Sequence, residues 1–259
     1  MLARVPAVAG AFYPGNPLSL QRKIDDMLNS QPGTPLRPKA LIVPHAGYIY
    51  SGPIAASAYR LLQTYADRIR RVVLLGPSHQ VAFRGLAAPE EDLFQTPLGD
   101  ITIDRSSINQ LQSQGLIAVR SDAHQWEHSL EVQLPFLQSV LGEFLLLPLV
   151  VGDASPQLVA DTLRASWGGE ETLIVVSSDL SHYHSYSEAR QIDRHTSAMI
   201  ESLNGTLNGE QACGCRAVNG LLAVAKEKQL AITTLDLRNS GDTAGDRDRV
   251  VGYGAYALC

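Results

Sequence analysis

Four polar side chains occupy the same kind of place in the chain. His45 in Pro44-His45-Ala46-Gly47-Tyr48, His79 in Gly76-Pro77-Ser78-His79, and Asp179 with His182 in Ser177-Ser178-Asp179-Leu180-Ser181-His182 each follow a short apolar run. Imidazoles and a carboxylate that converge in one pocket can serve as metal ligands or as acid and base. Cys213, in Ala212-Cys213-Gly214-Cys215, opens a helical pattern that runs on to Lys226. The dipole of a helix N-terminus favours a thiolate, which suits a metal ligand or a nucleophile, whereas the plainer alternative is an ordinary buried cysteine. Added to the imidazoles, a thiolate would bias the site toward zinc, copper(I) or iron.

A second cluster lies in Asp122-Ala123-His124-Gln125-Trp126-Glu127-His128-Ser129, where His124 and His128 are spaced as on one helical face, a spacing able to hold a metal. No glutamate directly follows the first histidine, so zincin chemistry is disfavoured. Glu127 or His128 is expected at the pocket rim, orienting a ligand. Tyr48 and Ser78, in the same loops as His45 and His79, are expected beside them. His182-Tyr183-His184 is a lone pair of histidines, and His195, within a helical pattern, reads as solvated. Gly47, Gly52 and Gly76 permit tight turns and close approach to a bound group.

These residues need a scaffold that brings distant segments together. Segments 39–43, 71–75, 143–150 and 171–176 are apolar on both faces, as strands of a sheet covered on both sides are. Helical patterns over 53–65, 129–141 and 157–167 lie between them, with Pro135 requiring a kink or a later start in the second. A first helix begins with Asn16 as cap and Pro17 in the first turn, and 30–38 reads as the loop after it. Segment 85–104 alternates like a hairpin or edge strand decorating the sheet, and 229–237 and 249–258 read as two further strands. Gly252 and Gly254 in the last strand suggest a bulge or a close backbone contact. The order implies one α/β domain over 1–259, with a mainly parallel or mixed central sheet and helices on both faces. In such sheets ligands bind beyond the carboxyl ends of the strands, where the histidines lie.

Composition narrows the function. Of the 259 residues 45% are hydrophobic and 18% charged, enough apolar material for a large core. The net charge of −5 and the scattered basic residues argue against a nucleic-acid footprint. No apolar run approaches the roughly 20 residues needed to span a bilayer, and no secretory signal opens the chain. Three cysteines, Cys213, Cys215 and Cys259, make a poor disulfide framework and suit a reducing, cytoplasmic setting.

Taken together, the chain resembles the Memo family, whose animal members are named for mediating ErbB-driven cell motility. The resemblance rests on 5–14, Pro44-His45-Ala46-Gly47-Tyr48, Gly76-Pro77-Ser78-His79, Glu127-His128-Ser129-Leu130-Glu131, Leu134-Pro135-Phe136, 177–182 and Cys213-Gly214, which span nearly the full length. It implies a fold like that of class III extradiol dioxygenases, which are non-haem iron enzymes. It also implies that His45, His79 and Cys213 are metal ligands, with Asp179 and His182 beside them in catalytic roles, and that iron or copper is bound, with zinc as an alternative. The related dioxygenases have a carboxylate as third ligand, so a thiolate at Cys213 softens the site and makes ring cleavage doubtful. Cys215 and Arg216 also depart from the Cys-Gly-Arg-His of animal members, and Cys215 adds a second thiol able to compete for the metal or to be oxidised with it.

Three functions compete at this stage. The first is an iron- or copper-dependent redox protein or dioxygenase-like enzyme, with His182 as acid and base poised by Asp179. The second is a metal-free hydrolase or transferase with Cys213 as nucleophile. The third is a non-enzymatic module that binds a peptide in the same pocket. Microbial relatives are often encoded beside a radical-SAM protein, which implies a shared pathway acting on an unknown small molecule or peptide.

Overall fold

The computed structural model describes residues 1–33 and 36–259. Two residues of the expected 30–38 loop, Thr34 and Pro35, therefore lie outside the described residues. The centre of the fold is formed by four parallel strands, in the order Leu145–Val151, Arg71–Pro77, Thr172–Ser177 and Ala40–Val43. Nearly every side chain in them is buried, because both faces of the sheet are covered. Val250–Leu258 pairs antiparallel to Ala40–Val43 and carries Ile232–Asn239 and His182–His184 antiparallel to itself, so the sheet is mixed. Among the described residues it has twelve strands.

Segment 85–104 does contain a hairpin, formed by Leu93–Thr96 and Gly99–Ile103. It does more than decorate, because Gly99–Ile103 pairs parallel to Leu145–Val151 and extends the sheet. Two sets of helices cover the sheet. Pro17–Asn29, Tyr48–Leu62 and Leu134–Leu141 pack together, as do Arg105–Ser113, Pro156–Ser166 and Cys215–Glu227. The first helix starts as expected, with the Asn16 side chain accepting from the Ser19 amide and Pro17 in the first turn.

Helix Tyr48–Leu62 begins five residues before Pro53, where the sequence pattern placed its start. Tyr50 and Ser51 already donate their amides to Gly47, closing the first turn. The carbonyl that Pro53 leaves without a helical donor belongs to Ile49, an exposed residue, so the proline costs little there. Segment 129–141 resolves its own proline by starting late. A 3₁₀ turn at Glu131–Gln133 leads into helix Leu134–Leu141, with Pro135 in its first turn. Among the described residues no helix is long and apolar enough to cross a membrane.

Candidate metal site at the strand ends

Strand register delivers the first two groups together. Val43 pairs with Ser177, so His45 and Asp179, each two residues further on, leave the sheet side by side. The His45 amide donates to Asp179 Oδ1 at 2.7 Å. Strand Arg71–Pro77, on the other side of Thr172–Ser177, releases His79 two residues past its end. The third imidazole, His128, arrives from outside the sheet and stacks on His79 with ring centroids 4.7 Å apart. His45 meets both edge-on, at 5.2 and 5.5 Å. The ligand nitrogens of His45, His79 and His128 all lie within 4.8 Å of one another, and this group, with His45 buried and the other two open to the pocket, could hold a metal ion.

Hydrogen bonds outside the trio set which ring nitrogens face inward. Ser177 Oγ gives its only proton to the Ser129 carbonyl at 2.6 Å and accepts from Gln133 Nε2 at 2.8 Å. Toward His45 Nδ1, 2.9 Å away, it can only accept, so Nδ1 carries the proton and Nε2 keeps a free lone pair. Gln133 is itself held in one orientation, because its nitrogen donates to the Pro44 carbonyl and its oxygen accepts from the Tyr59 hydroxyl. His79 Nδ1 meets Glu127 Oε1 at 2.9 Å, and the carboxylate also takes the amides of His79 and Ser129. The result is again a ring with Nδ1 protonated and Nε2 turned to the pocket, the arrangement typical of metal-ligating histidines.

The electrostatics favour neutral rings at His45 and His128. Burial pushes His45 well below the ordinary imidazole value, reinforced by the other histidines, and burial also lowers His128. Burial works to raise Glu127, but the hydrogen bond from the His79 ring and those from the His79 and Ser129 amides work against it, and the carboxyl is held at about 2. Asp179 is raised, since burial outweighs the stabilising amide of His45.

Cys213 lies next to this group. Its sulfur is 3.4 Å from His45 Nε2 and accepts the Asp179 amide at 3.3 Å. The helix that it was expected to open begins at Cys215, with Gly214 as its cap, so Cys213 sits two residues before the first turn. Burial, with the Asp179 charge adding to it, drives the thiol up to about 12, which reverses the expectation of a dipole-favoured thiolate in the metal-free protein. Gly214 makes the approach of this loop feasible, since a Cβ there would meet Ser178 Cβ at 2.7 Å and the Ser177 carbonyl at 2.8 Å. Cys215 is half-buried, and burial raises its thiol as well.

His182 lines the same cavity, of about 580 Å³, as His45, His79, His128 and Asp179. Ser78 instead donates to the Val81 carbonyl and lines a neighbouring cavity of about 240 Å³, and Cys213 lines that neighbouring cavity as well. Tyr48 turns away from the pocket altogether. Its hydroxyl donates to the Val132 carbonyl and its ring packs on Tyr13 and Phe136, because it faces inward from the first turn of its helix. His124 and His128 do not share a helical face, since helix Asp122–Gln125 ends after one turn. His124 is buried with Nε2 against the Ala87 carbonyl at 2.9 Å, while His128 goes to the pocket. His195 is exposed, as expected.

Sequence reasoning did not single out Ser177, Gln133, Phe12, Tyr50, Tyr253 or Arg249. Ser177 and Phe12 fall inside motifs already noted, and Phe12 packs on His128 at 4.8 Å. Arg249 belongs to the charged stretch Asp246-Arg247-Asp248-Arg249, which carries no local signal of a pocket wall.

The profile of Memo-like proteins matches residues 4–257. A MEMO1 family protein of Aquifex aeolicus is 37% identical, with 98% of each chain covered. One from Sulfolobus acidocaldarius is 32% identical over 97% of this chain and 98% of its own. Among solved structures, an uncharacterized protein from Escherichia coli K12 shares the fold, with a TM-score of 0.55 at 14% identity over 83% of this chain and 98% of that one.

Proposed function

The chain belongs to the Memo-like family, and from that premise we propose that its strand-end pocket is a mononuclear iron or copper centre serving redox chemistry on a small molecule. The observation that carries this is the trio of imidazoles with ligand atoms inside 4.8 Å. His45 and His79, with their outer nitrogens already hydrogen-bonded, are ready to ligate, and a nitrogen-rich set with one nearby sulfur suits iron, copper or zinc. His45 and His79 are the two ligands on which geometry and family resemblance agree. The third is His128 or the Cys213 sulfur, 3.4 Å from His45 Nε2. When bound, the ion would supply Lewis acidity and one-electron chemistry.

The chain's own residues do the remaining work. Ser177 and Glu127 hold the rings in one tautomer, so no proton need leave the ligating nitrogens when the site fills. Asp179, buried and raised, and His182, on the cavity wall, are the groups placed to hold and move a proton. The three free thiols accord with a reducing, cytoplasmic compartment.

Elemental analysis of anaerobically prepared protein tests the reading. Wild type should carry one iron or copper per chain and His45→Ala none, while His128→Ala and Cys213→Ser identify the third ligand by which of them loses the ion. A wild type that takes up neither metal refutes the centre. The close contact of Cys213 with His45 is also the geometry of a thiol–imidazole nucleophile. Fast labelling of Cys213 near neutral pH in stripped protein would support that second reading, although a thiol raised to about 12 argues against it.

A further inference from the structure

The 580 Å³ cavity has, besides its histidines, a second set of lining groups. Phe12, Tyr50, Tyr183 and Tyr253 line it, together with a single cationic side chain, Arg249. Among the described residues the Arg249 guanidinium makes no ion pair, whereas Arg216, in the neighbouring cavity, is bound to Asp153 at 2.8 Å. Its guanidinium carbon lies 5.2 Å from the centroid of the Tyr183 ring. An arginine left without an acid on a cavity wall retains its full forked donor set for a ligand.

Tyr183 adds an independent sign. Its φ is 61°, in the left-handed region that a residue with a large side chain rarely adopts. It sits where the pairing of His182–His184 with Val250–Leu258 shifts register, and the residue is 64% exposed. An exposed aromatic in a strained backbone gains nothing from burial, and strain of this kind gathers at ligand clamps.

We propose that Arg249 and Tyr183 form the binding subsite for a planar organic monoanion, with Arg249 taking a carboxylate and the aromatic walls taking its unsaturated body. The subsite deepens the metal-centre reading, since it gives that centre a substrate class, but anion recognition itself requires no metal. One guanidinium matches one carboxylate through paired N–H donors. A phosphate monoester, carrying nearly two charges, fits poorly, because Asp179 and Asp246 line the same cavity and Arg249 is its only arginine. The cavity volume falls within the range of small-molecule sites.

Calorimetric titration with benzoate, its neutral isostere benzamide, and phenyl phosphate tests the proposal on full-length protein, both chelator-stripped and Zn²⁺-loaded. Benzoate should bind both forms, benzamide and phenyl phosphate more weakly. Arg249→Gln should weaken benzoate about tenfold or more, with Arg249→Lys in between. The exposed position of Arg249 keeps both variants folded, and metal content measured in parallel should not change. The proposal is overturned if benzoate shows no saturable binding, if benzamide matches it, if phenyl phosphate exceeds it, or if Arg249→Gln leaves its affinity intact. Arg249-dependent binding of benzoate to a protein that takes up no metal would support this subsite while refuting the metal centre.

Discussion

His124 and His128 share a residue type and a short segment yet meet opposite fates. His124 is buried, with Nε2 donating to the Ala87 carbonyl and its ring edge-on to Phe94. Burial is the main cause that lowers its pKa from 6.5 to about 3. Between those values the unfolded chain binds a proton that the folded chain does not. The stability contributed by the neutral ring is therefore complete above about pH 6.5 and falls by about 1.4 kcal/mol per pH unit on acidification toward pH 3. Urea denaturation at pH 7 and pH 5 should show this slope in wild type and a shallower one in His124→Gln. Equal slopes would mean that His124 titrates normally. His128 remains at the pocket, stacked on His79 and packed against a tilted Phe12 ring. Nothing in the sequence separates the two, because the spacing that suggested a common face assumes a helix that in fact stops at Gln125.

At the scale of elements, the loop carrying Glu127 and His128 is fixed by the N-terminal segment. Arg4 donates to the carbonyls of His124 and Glu127 and to Glu131 Oε2, at 2.7, 2.8 and 2.7 Å. Glu131 in turn collects the amides of Ala7 and Val8 and the Tyr13 hydroxyl. Both charges of the pair are almost fully buried. Arg4→Ala leaves the carboxylate without its cation, at a cost of about 3–5 kcal/mol. A fall of that size in unfolding free energy, together with weaker metal retention, is expected, and a change below about 1 kcal/mol would show that the clamp is dispensable. The strands that release His45, His79 and Asp179 were readable because a sheet buried on both faces requires continuous apolar runs, and these runs are visible in 39–43, 71–75 and 171–176. The clamp was not, since a buried arginine and glutamate 127 positions apart look like ordinary surface charges until the fold pairs them.

For the molecule as a whole, an ion bound only by the folded state adds to its stability. At a free concentration about a hundred times its Kd, it would contribute about 2.7 kcal/mol. In a chain of this size that corresponds to a rise in Tm of roughly 5–10 °C. Scanning calorimetry of wild type with and without chelator should show the rise, and His45→Ala should not; a wild-type Tm indifferent to chelator would contradict the metal centre.

The strand order at the heart of the sheet has a further consequence for biosynthesis. Arg71–Pro77 is flanked by Leu145–Val151 and Thr172–Ser177, and Ala40–Val43 pairs with Thr172–Ser177 and Val250–Leu258. While the ribosome has made only the first half of the chain, the two early imidazoles hang from strands that have no neighbours. Their partners emerge later, so this architecture is slow to nucleate and closes only once Val250–Leu258 has been made. An ion held by these imidazoles would therefore load only after Thr172–Ser177 has joined the sheet and could not serve as a template for its collapse.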